Sequence, residues 1–389
     1  MPIINRVADF HAEITGWRRE FHANPELLYD VEQTAAKVAE LLRSFGLDEV
    51  TTGVGRTGVV GVIKGRNGGA GKTIGLRADM DALPILERTG KPYASQTAGK
   101  MHACGHDGHT SMLLGAAKYL AETRNFDGTA VVIFQPAEEG GAGGRAMVED
   151  GLMDRWGIEE VYGMHNMPGL AQGTFAIREG GIMGSTDDFR VEIEGRGGHA
   201  ARPHATIDPV LISAQIIVAL QSLVSRNVDP MRSAVLSTTI FKGGDATNVI
   251  PRTASFAGTV RTLDNTVRAQ MEERLRALIT TMAEAYGAKA TIGYKRGYPV
   301  TVNSPAQTAF AASVAADVVG QDRVDPKVDA SMGAEDFSFM LLERPGAYIF
   351  IGNGESSELH TDTYDFNDDV IPLGVSYWAR LVEKALVAE

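Results

Sequence analysis

The opening third of the chain alternates between stretches with the apolar spacing of amphipathic helices and short apolar runs. In chain order, the pattern predicts a helix up to Phe21, a helix over Glu32 to Phe45, strands over Gly58 to Lys64 and Thr73 to Asp79, a helix over His106 to Thr123, and strands over Thr129 to Gln135 and Glu160 to His165. Helices that alternate with short buried strands are typical of the α/β fold class.

Polar residues follow three of these predicted strands directly. Asp79 and Asp81 come at the end of the second strand, Glu138 and Glu139 follow the third, and His165 ends the fourth. Ligand sites of open α/β sheets collect at the carboxyl ends of strands. We therefore expect these side chains to belong to a site.

The pattern changes from about Thr186. The predicted elements are then a strand over Asp187 to Glu194, a helix over Ile207 to Ser225, strands over Ala234 to Lys242 and Ala254 to Arg261, a helix over Val267 to Tyr286 and a strand over Ala290 to Tyr294. This βαββαβ order is typical of a ferredoxin-like α+β unit, compact enough to be an inserted domain. The α/β pattern then resumes, and Ser304, Pro305 and Gln307 have the spacing of a capping box. We predict a first domain over 1–184 and 296–389, interrupted by a second over 185–295.

Composition and charge narrow the class of protein. At 389 residues the chain is long enough for two domains, and 44% apolar with 22% charged residues is the balance of a globular protein. The net charge of -12 argues against nucleic acid as a partner. The N-terminal region lacks an apolar segment as long as a signal or membrane span, and one cysteine cannot form an intramolecular disulfide. We expect a cytoplasmic protein with no membrane partner.

The segment from Met101 to His109 contains the only cysteine of the chain and three of its nine histidines. On its own, Cys104 would most often be a small buried hydrophobic residue. Its neighbours favour a metal ligand, because Gly105 allows a turn in which the thiolate and the imidazole of His106 point at one ion. Thiolates and imidazoles are ligands of borderline divalent metals.

The Glu138-Glu139 pair lies between an apolar strand and a glycine-rich turn. A solvated charge pair is the ordinary alternative, but a metal site that activates water needs two adjacent carboxylates, one to bind metal and one to move a proton. Asp79 and Asp81 leave their strand on the same side. Asp79 is open between a turn cap and a role at the site, and Asp81 is predicted to orient a ligating imidazole.

Two further histidines complete the candidate set. His165 ends an apolar strand and His360 lies in a polar loop, and each alone would be an ordinary core or surface histidine. Together with the Cys-Gly-His turn and the glutamate pair, they supply the five ligands that two metals with a shared bridge need.

Three residues of the inserted domain are candidates for substrate binding. His199 follows two glycines that allow close approach of a ligand, so it is predicted to donate to an oxyanion rather than to be a plain loop histidine. Asn248, in a turn, and Arg261 are candidates for gripping a substrate carboxylate, since arginine offers a planar fork of donors. A surface salt bridge is the alternative for Arg261.

Eight short motifs together resemble one family. They are Trp17 to Leu27, Leu76 to Pro84, Met101 to His109, Phe134 to Glu139, Met164 to Pro168, Gly198 to His204, Met332 to Phe337 and Leu359-His360. In combination they resemble the M20 metallopeptidase family, in the branch of aminoacylase-like amidohydrolases that includes hippurate hydrolases and auxin-conjugate hydrolases. The resemblance implies a zinc-peptidase-like catalytic domain, with a mixed sheet flanked by helices, interrupted by a ferredoxin-like lid and dimerisation domain.

The resemblance also implies a set of site residues. Two divalent ions, manganese, zinc or cobalt, would be held by Cys104, His106, Glu139, His165 and His360. Glu138 would be the general acid and base. Broader members of the family have histidine at the position of Asp79 and an aspartate as metal bridge, whereas Cys104 takes the bridging place in this branch. His199 would reach the site of a neighbouring subunit, in a homodimer or homotetramer.

These residues predict a metal-dependent amidohydrolase that cleaves N-acyl amino acids, such as hippurate-like or N-acetyl conjugates, into a carboxylic acid and an amino acid. In this hypothesis Glu138 deprotonates the attacking water and protonates the leaving amine, while His199 stabilises the oxyanion. The alternatives are a metallo-carboxypeptidase or dipeptidase on short peptides, a cysteine hydrolase with Cys104 as nucleophile, and a catalytically silent protein that binds amino acids or metal.

Overall fold

The structure is a computed structural model that describes residues 3–387. The chain forms two compact units. The first contains the residues up to Gly180, Val302–Asp329 and the residues from Asp336 onward, and the second contains Gly181–Thr301 and Ala330–Glu335. The predicted insertion, 185–295, lies inside the second unit, which also takes up the later segment Ala330–Glu335.

The first unit consists of helices and mostly short strands. In chain order they are α1 (Asn5–Ala23), α2 (Glu32–Ser44), β1 (Glu49–Val54), β2 (Gly58–Lys64), β3 (Thr73–Asp79), α3 (His106–Thr123), β4 (Thr129–Gln135), α4 (Gly143–Glu149), α5 (Leu152–Arg155), β5 (Glu160–Pro168) and β6 (Phe175–Ala176). After the second unit follow α8 (Pro305–Val319), β15 (Val324–Asp325), α9 (Ser338–Glu343), β16 (Gly346–Gly354) and α10 (Ile371–Ala385). Two short strands, β7 (Gly180–Met183) and β14 (Thr301–Asn303), contain the residues at which the chain passes between the units.

Eight strands of the first unit form one mixed sheet in the order β1-β2-β4-β3-β5-β16-β6-β15. Its centre is parallel, because β3 pairs in parallel with both β4 and β5, and β5 pairs in parallel with β16. The four central strands therefore place their carboxyl ends at one edge of the sheet. This sheet and the separate antiparallel sheet of the second unit confirm the predicted fold class.

The sequence of the central strands reflects their burial. β4 and β16 are buried along almost their whole length, so they are continuous apolar runs rather than alternating ones. Helices α1 and α10 pack on α3, whose residues are buried nearly all round. The apolar residues of these helices and of the sheet form one hydrophobic core.

The second unit is a ferredoxin-like fold with a core of its own. Its elements are β8 (Asp187–Glu194), β9 (Gly198–His199), α6 (Pro209–Asn227), β10 (Ala234–Gly243), β11 (Val249–Ile250), β12 (Thr253–Thr262), α7 (Asn265–Ala285) and β13 (Lys289–Arg296). The four longer strands form an antiparallel sheet in the order β10-β12-β8-β13. Burial alternates strictly along β8, as expected for a strand with one face on a core.

Helices α6 and α7 cover that face of the sheet. Ile212, Ile216 and Leu220 recur at helical spacing on the buried side of α6, and Asp208 caps the helix by accepting hydrogen bonds from two backbone amides. Among residues 3–387, α6 is the one helix that is long and apolar enough to cross a membrane. A third of its apolar window is buried in the second unit. Core helices of globular units meet the same criterion.

One local prediction was wrong. Ser304 precedes α8, but its side chain makes no capping hydrogen bond. The Ser304 hydroxyl instead accepts from the amide of Gly346 at 3.3 Å, and Gln307 Nε2 donates to Glu160 Oε1 at 3.0 Å. Both side chains of the expected capping box are therefore used to attach α8 to the sheet.

Candidate metal centre

The predicted ligands meet at the carboxyl edge of the parallel strands. Glu138 and Glu139 follow β4, His165 lies near the end of β5, and His360 lies in the loop after β16. Cys104 and His106 are at the start of α3, which follows β3 in the chain. Strand direction and sheet order therefore bring together residues that are far apart in the sequence.

Donor atoms of these residues form overlapping groups. Cys104, His106 and His165 form one group and Cys104, Glu139 and His360 form another, and the ligand atoms within each group lie within 4.8 Å of one another. Cys104 Sγ is 3.4 Å from His165 Nε2, and His360 Nε2 is 3.2 Å from Glu139 Oε1. Cys104 belongs to both groups, which is the position that a bridging ligand requires.

Two of the imidazoles are oriented by backbone carbonyl groups. His106 Nδ1 lies 2.8 Å from the carbonyl oxygen of Asp81, and His165 Nδ1 lies 2.5 Å from that of Asn166. A hydrogen bond from Nδ1–H to a carbonyl leaves the Nε2 lone pair for a metal, as in most protein metal sites. The buried Nε2 of His106 has no hydrogen-bond partner within residues 3–387.

Asp81 positions the glutamate pair. Its Oδ1 accepts from the backbone amide of Glu138 at 2.9 Å and its Oδ2 accepts from that of Glu139 at 3.1 Å. Asp81 was predicted to orient an imidazole, and His106 Nδ1 lies 2.8 Å from the carbonyl oxygen of Asp81 and 3.5 Å from its Oδ1. Asp81 therefore connects His106 to both glutamates.

Asp79 is part of the site and not a turn cap. Its fully buried carboxylate accepts from His109 Nδ1 at 2.6 Å and from Arg77 Nη1 at 2.7 Å. Its Oδ2 is also 3.6 Å from His106 Nε2. Asp79 thus lies close to the predicted metal-binding nitrogen of His106.

The sequence reasoning missed Asn166 and Tyr364, which connect the segments that carry ligands. The backbone amide and Nδ2 of Asn166 both lie 3.0 Å from His109 Nε2, and Nδ2 donates to the carbonyl oxygen of Cys104 at 2.7 Å. Tyr364 Oη donates to Asn166 Oδ1 at 2.6 Å. The only signals in the sequence are that Asn166 follows His165 in a matched motif and that Tyr364 comes soon after His360.

His109 is excluded as a ligand by these contacts. Its Nε2 accepts from Asn166, so the neutral ring carries its proton on Nδ1 and donates it to Asp79. Both ring nitrogens are therefore used in hydrogen bonds.

Opposite charges at the site shift one another's pKa values. Burial raises the pKa of Asp79, but attraction to His106 and Arg77 and the hydrogen bond from His109 outweigh it, and the pKa of Asp79 lies well below its usual range. Burial lowers the pKa of His106, yet the carboxylates of Asp79 and Asp81 raise it to about 10. A proton on Nε2 of His106 is one way to balance these carboxylates, and a divalent cation at the same nitrogen supplies more positive charge.

The same electrostatics disfavour Cys104 as a nucleophile. Burial, together with the negative charges of Glu139 and Glu138, raises the pKa of the Cys104 thiol well above its usual value. Burial lowers the pKa of His165 well below its usual value. A cysteine hydrolase needs the reverse, a thiolate beside an imidazolium, whereas a bound cation deprotonates a thiol directly.

In the second unit, His199 and Asn248 are neighbours. His199 pairs with Val249 across the β9–β11 ribbon, and the amide of Ala200 donates to the carbonyl oxygen of Asn248 at 3.0 Å. His199 Nδ1 accepts from the amide of Ala201 at 3.1 Å, so the neutral ring carries its proton on Nε2. Both His199 and Asn248 are exposed.

Arg261 lies apart from that pair. It is on β12 opposite Val235, and residues 253 to 261 of this strand span roughly 25 Å at the rise of a β-strand. His199 and Asn248 are beside the beginning of the strand, and Arg261 is near its end. Arg261 is half-buried, and its Nη1 is enclosed without a hydrogen-bond partner in the part of the chain that the structure describes. Within one subunit, these three residues do not form a single ligand-binding cluster.

Comparisons with known proteins agree with this arrangement. Residues 75–384 match peptidase family M20/M25/M40. The chain is 43% identical over 386 residues to hippurate hydrolase of Campylobacter jejuni, covering 99% of this chain and 100% of that protein. It is 41% identical to N-acetyl-L-cysteine deacetylase of Bacillus subtilis, covering 96% of this chain and 88% of that protein.

A solved structure has the same fold throughout. The YXEP protein of Bacillus subtilis, described as a dinuclear metal binding peptidase from the M20 family, superimposes with a TM-score of 0.86 at 34% identity. The match covers 97% of this chain and 99% of that protein. The fold and the relatives together define a hydrolase that acts on amide bonds. The chain belongs to the M20 peptidase family, in the amidohydrolase branch that includes hippurate hydrolase.

Gly105 provides a test of the site geometry. It has φ of 90°, and a Cβ at this position would collide with Asn166 Nδ2 and lie 2.6 Å from Tyr364 Oη. We expect Gly105→Ala to weaken metal binding about 10–100-fold, because the Cys104–His106 turn must move. The measurement is metal affinity by competition with a chelator.

Gly99 is a matched control for this substitution. It has φ of 80°, and a Cβ added at this position would have none of the described atoms within 4 Å. Gly99→Ala therefore carries a similar backbone strain, about 1–2 kcal/mol, without the collision. Equal metal affinities of the two variants would contradict the assigned role of Gly105.

Proposed function

We propose that this protein is a dinuclear metal-dependent amidohydrolase that cleaves N-acyl amino acids into a carboxylic acid and an amino acid. The observation that carries the proposal is the pair of donor groups that share Cys104, with Glu138 beside them. His106, Glu138 and Glu139 also have ligand atoms within 4.8 Å of one another. A proton-transfer group is therefore adjacent to the candidate ligands.

The donor set fits two divalent ions. Cys104, His106 and His165 would hold one, and Cys104, Glu139 and His360 would hold the other. The fit is supported by the buried Nε2 of His106, which has no hydrogen-bond partner among the described residues, and by Glu139 Oε1, which lies 3.2 Å from Nε2 of another candidate ligand, His360. When bound, such ions polarise a carbonyl group and make a water molecule more acidic. Imidazole, thiolate and carboxylate ligands together suit zinc, cobalt or manganese.

Glu138 is the proposed general base and acid. Its side chain is only 7% exposed, and its backbone is held by the hydrogen bond to Asp81. In the proposed reaction Glu138 takes a proton from the attacking water and later transfers it to the nitrogen of the leaving amine. Glu139 remains a ligand throughout, so the two adjacent carboxylates have different tasks.

N-acyl amino acids are proposed as substrates from the relatives. Hippurate and N-acetyl-L-cysteine, in the names of the two relatives, are both N-acyl amino acids, but their acyl groups differ in size. The shared part is the amide bond next to an amino acid carboxylate. We propose that this shared part is recognised in the same way here, and that the acyl pocket sets the preferred substrate.

Two segments of the second unit are candidates for the acyl pocket. Met183 forms a parallel bridge with Ser331, and the amide of Gly184 donates to the carbonyl oxygen of Gly333 at 2.7 Å. Residues 181–184 and 330–333 therefore form one continuous surface. A side chain such as Met183 on this surface would limit the size of the acyl group.

His199, Asn248 and Arg261 are the proposed substrate-binding residues of the second unit. Nε2–H of His199 is the donor required for an oxyanion, and the enclosed Nη1 of Arg261 is suited to a carboxylate. Because Arg261 is remote from the other two within one subunit, we propose that they act on different parts of the substrate. We also propose that a homodimer or homotetramer brings His199 to the site of a neighbouring subunit.

The primary test is amine release from a panel of N-acyl amino acids and dipeptides, with metal-stripped protein to which manganese, zinc or cobalt is restored. We expect N-acyl amino acids to be hydrolysed after metal is restored and not in EDTA. Preference for dipeptides would favour a peptidase. A rate that is unchanged by EDTA would favour Cys104 as a nucleophile, and silence with every metal would favour a binding protein.

Glu138→Gln tests the proton-transfer role. We expect kcat to fall by about 100-fold to 10,000-fold while two ions remain bound, because the amide cannot accept a proton. Glu139→Gln is the matched variant, and it should lose metal as well as activity. If Glu138→Gln kept near-normal kcat, the assignment would be wrong.

Complementation tests whether His199 acts across subunits. Glu138→Gln and His199→Ala proteins should each be nearly inactive, but purified hybrid dimers from co-expression should regain about half of wild-type activity, since each contains one complete site of two. The measurement is the specific activity of doubly tagged, purified hybrids and of each parent. Hybrids that are no more active than their parents would contradict a role in the neighbouring site.

A further inference from the structure

A second buried polar cluster lies next to the candidate metal centre, and its residues take no part in the proposed reaction. Arg18 and His22 are one helical turn apart on α1, on the same side as the apolar residues Ile14 and Phe21. The side chains of Arg18 and His22 are completely buried. Two cationic residue types on the apolar side of a helix require nearby carboxylates.

His22 connects α1 to the start of α3. Its Nδ1 is 2.8 Å from Asp107 Oδ2, and its Nε2 is 3.2 Å from Glu87 Oε1. Asp107 directly follows His106, and its side chain is fully buried. The contact with Asp107 therefore holds the first turn of α3, which contains the candidate ligand His106 and follows Cys104 by two residues.

Arg18 pairs with carboxylates from two different segments. Its Nε donates to Asp368 Oδ1 at 2.7 Å, and its Nη1 lies 3.5 Å from Asp107 Oδ2 and 3.6 Å from Asp365 Oδ1. The guanidinium also stacks on the ring of Tyr93 at 4.4 Å, and Tyr93 Oη donates to Asp365 Oδ2 at 2.9 Å. One cation is therefore shared by acidic groups that approach from separate parts of the chain.

These two segments carry candidate ligands of different groups. Asp107 follows His106, a member of the group Cys104–His106–His165, and Asp365 and Asp368 follow His360, a member of the group Cys104–Glu139–His360. The backbone also joins the segments, because the amide of His360 donates to the carbonyl oxygen of Ala103 at 2.8 Å. The hydrogen bonds from Tyr364 to Asn166 and from Asn166 to the carbonyl oxygen of Cys104 form a second link, but neither link involves Asp365 or Asp368.

We infer that Arg18 is a positioning residue that sets the relative placement of the two groups of metal ligands through its ion pairs with Asp107, Asp365 and Asp368. The inference rests on the proposed dinuclear function. Asp107 also contacts His22, Asp365 contacts Lys91 at 3.0 Å and Asp368 contacts Arg19, but none of these partners contacts carboxylates of both segments. Without the guanidinium, the shared ion pairing is lost and the segment after His360 moves away from the start of α3. The distance between the two ion sites then changes, although no ligand has been altered.

The geometry explains why arginine suits this position. Arg18 reaches three carboxylates with two nitrogens of one planar group, Nε toward Asp368 and Nη1 toward Asp107 and Asp365, whereas lysine offers a single point charge. Arg18→Lys therefore keeps the buried charge and removes the shared pairing. Asp365→Asn breaks the link from the other side, at a residue that is partly exposed and more tolerant of substitution.

Arg19→Lys is the matched control. Arg19 Nη2 is 2.9 Å from the same Asp368, and its guanidinium lies over the same Tyr93 ring at 4.6 Å. Its side chain is 48% exposed, and Asp107 and Asp365 are not among its ion-pair partners in the described residues. Arg19→Lys thus makes the same substitution in a residue that shares one ion-pair partner with Arg18. Arg19 does not connect the two ligand segments.

The experiment measures the two stepwise metal affinities by chelator competition, with manganese and zinc, for wild type, Arg18→Lys, Asp365→Asn and Arg19→Lys. The melting temperature of each metal-free protein is recorded as a measure of folding. We expect one of the two ions to bind about 10–100-fold more weakly in Arg18→Lys and Asp365→Asn, as for other residues that orient metal ligands. We expect Arg19→Lys to bind both ions like wild type.

Each other result has a defined meaning. Two affinities within about threefold of wild type in Arg18→Lys and Asp365→Asn would show a purely structural ion pair and overturn the inference, even if the melting temperatures fell. Equal weakening in Arg19→Lys would overturn it too. If Arg18→Lys does not fold, Asp365→Asn decides. Wild-type protein that binds fewer than two ions would refute the proposed dinuclear function itself, and that result is read from wild type alone.

Discussion

The carboxyl edge of the parallel strands holds several carboxylates in a buried space, and their negative charge must be balanced where water is excluded. Asp79 is balanced by Arg77 and by donation from His109, and Asp81 by two backbone amides. The buried Nε2 of His106 has no hydrogen-bond partner among the described residues, and Glu139 Oε1 lies 3.2 Å from Nε2 of His360, another candidate ligand. Buried charge is costly unless it is balanced, so this edge of the sheet favours a cation. The need for a cation at this edge of the sheet explains why the other side chains there are imidazoles and a thiol, which also bind metals.

Successive layers of contacts position these donors. Backbone carbonyl groups orient two of the imidazoles, and Asn166 and Tyr364 connect the segments from which the donors come. Arg18 lies one layer further out and pairs with carboxylates that neighbour the ligand segments rather than with the ligands themselves. The residue types are less restricted in each layer than in the one inside it. A metal ion requires particular ligand types, whereas a positioning contact requires only a complementary charge and a side chain long enough to make it.

The second unit meets a different requirement. Its four-stranded sheet and two helices form a separate core, so this unit does not depend on the metal centre for its hydrophobic stability. A unit with its own core can present exposed loops without disturbing the ligands. His199 is on the short β9–β11 ribbon and Asn248 directly precedes its strand β11, whereas Arg261 is near the far end of β12.

The sequence by itself determined the elements and the chemistry of the site. Apolar periodicity reflects burial directly, so β3, β4, α3 and the ferredoxin-like order were predictable, and thiol, imidazole and paired glutamates indicate metal by their type alone. Tertiary structure decided which polar atoms meet. Tyr364 and Asn166 are 198 residues apart, and Arg18 and Asp368 are 350 apart, so no local pattern encodes those contacts. The Ser304 hydroxyl was expected to cap α8, but it accepts a hydrogen bond from the amide of Gly346 instead. A side chain with several potential partners pairs with one of them only after the sheet has assembled, so the sequence alone could not predict this contact.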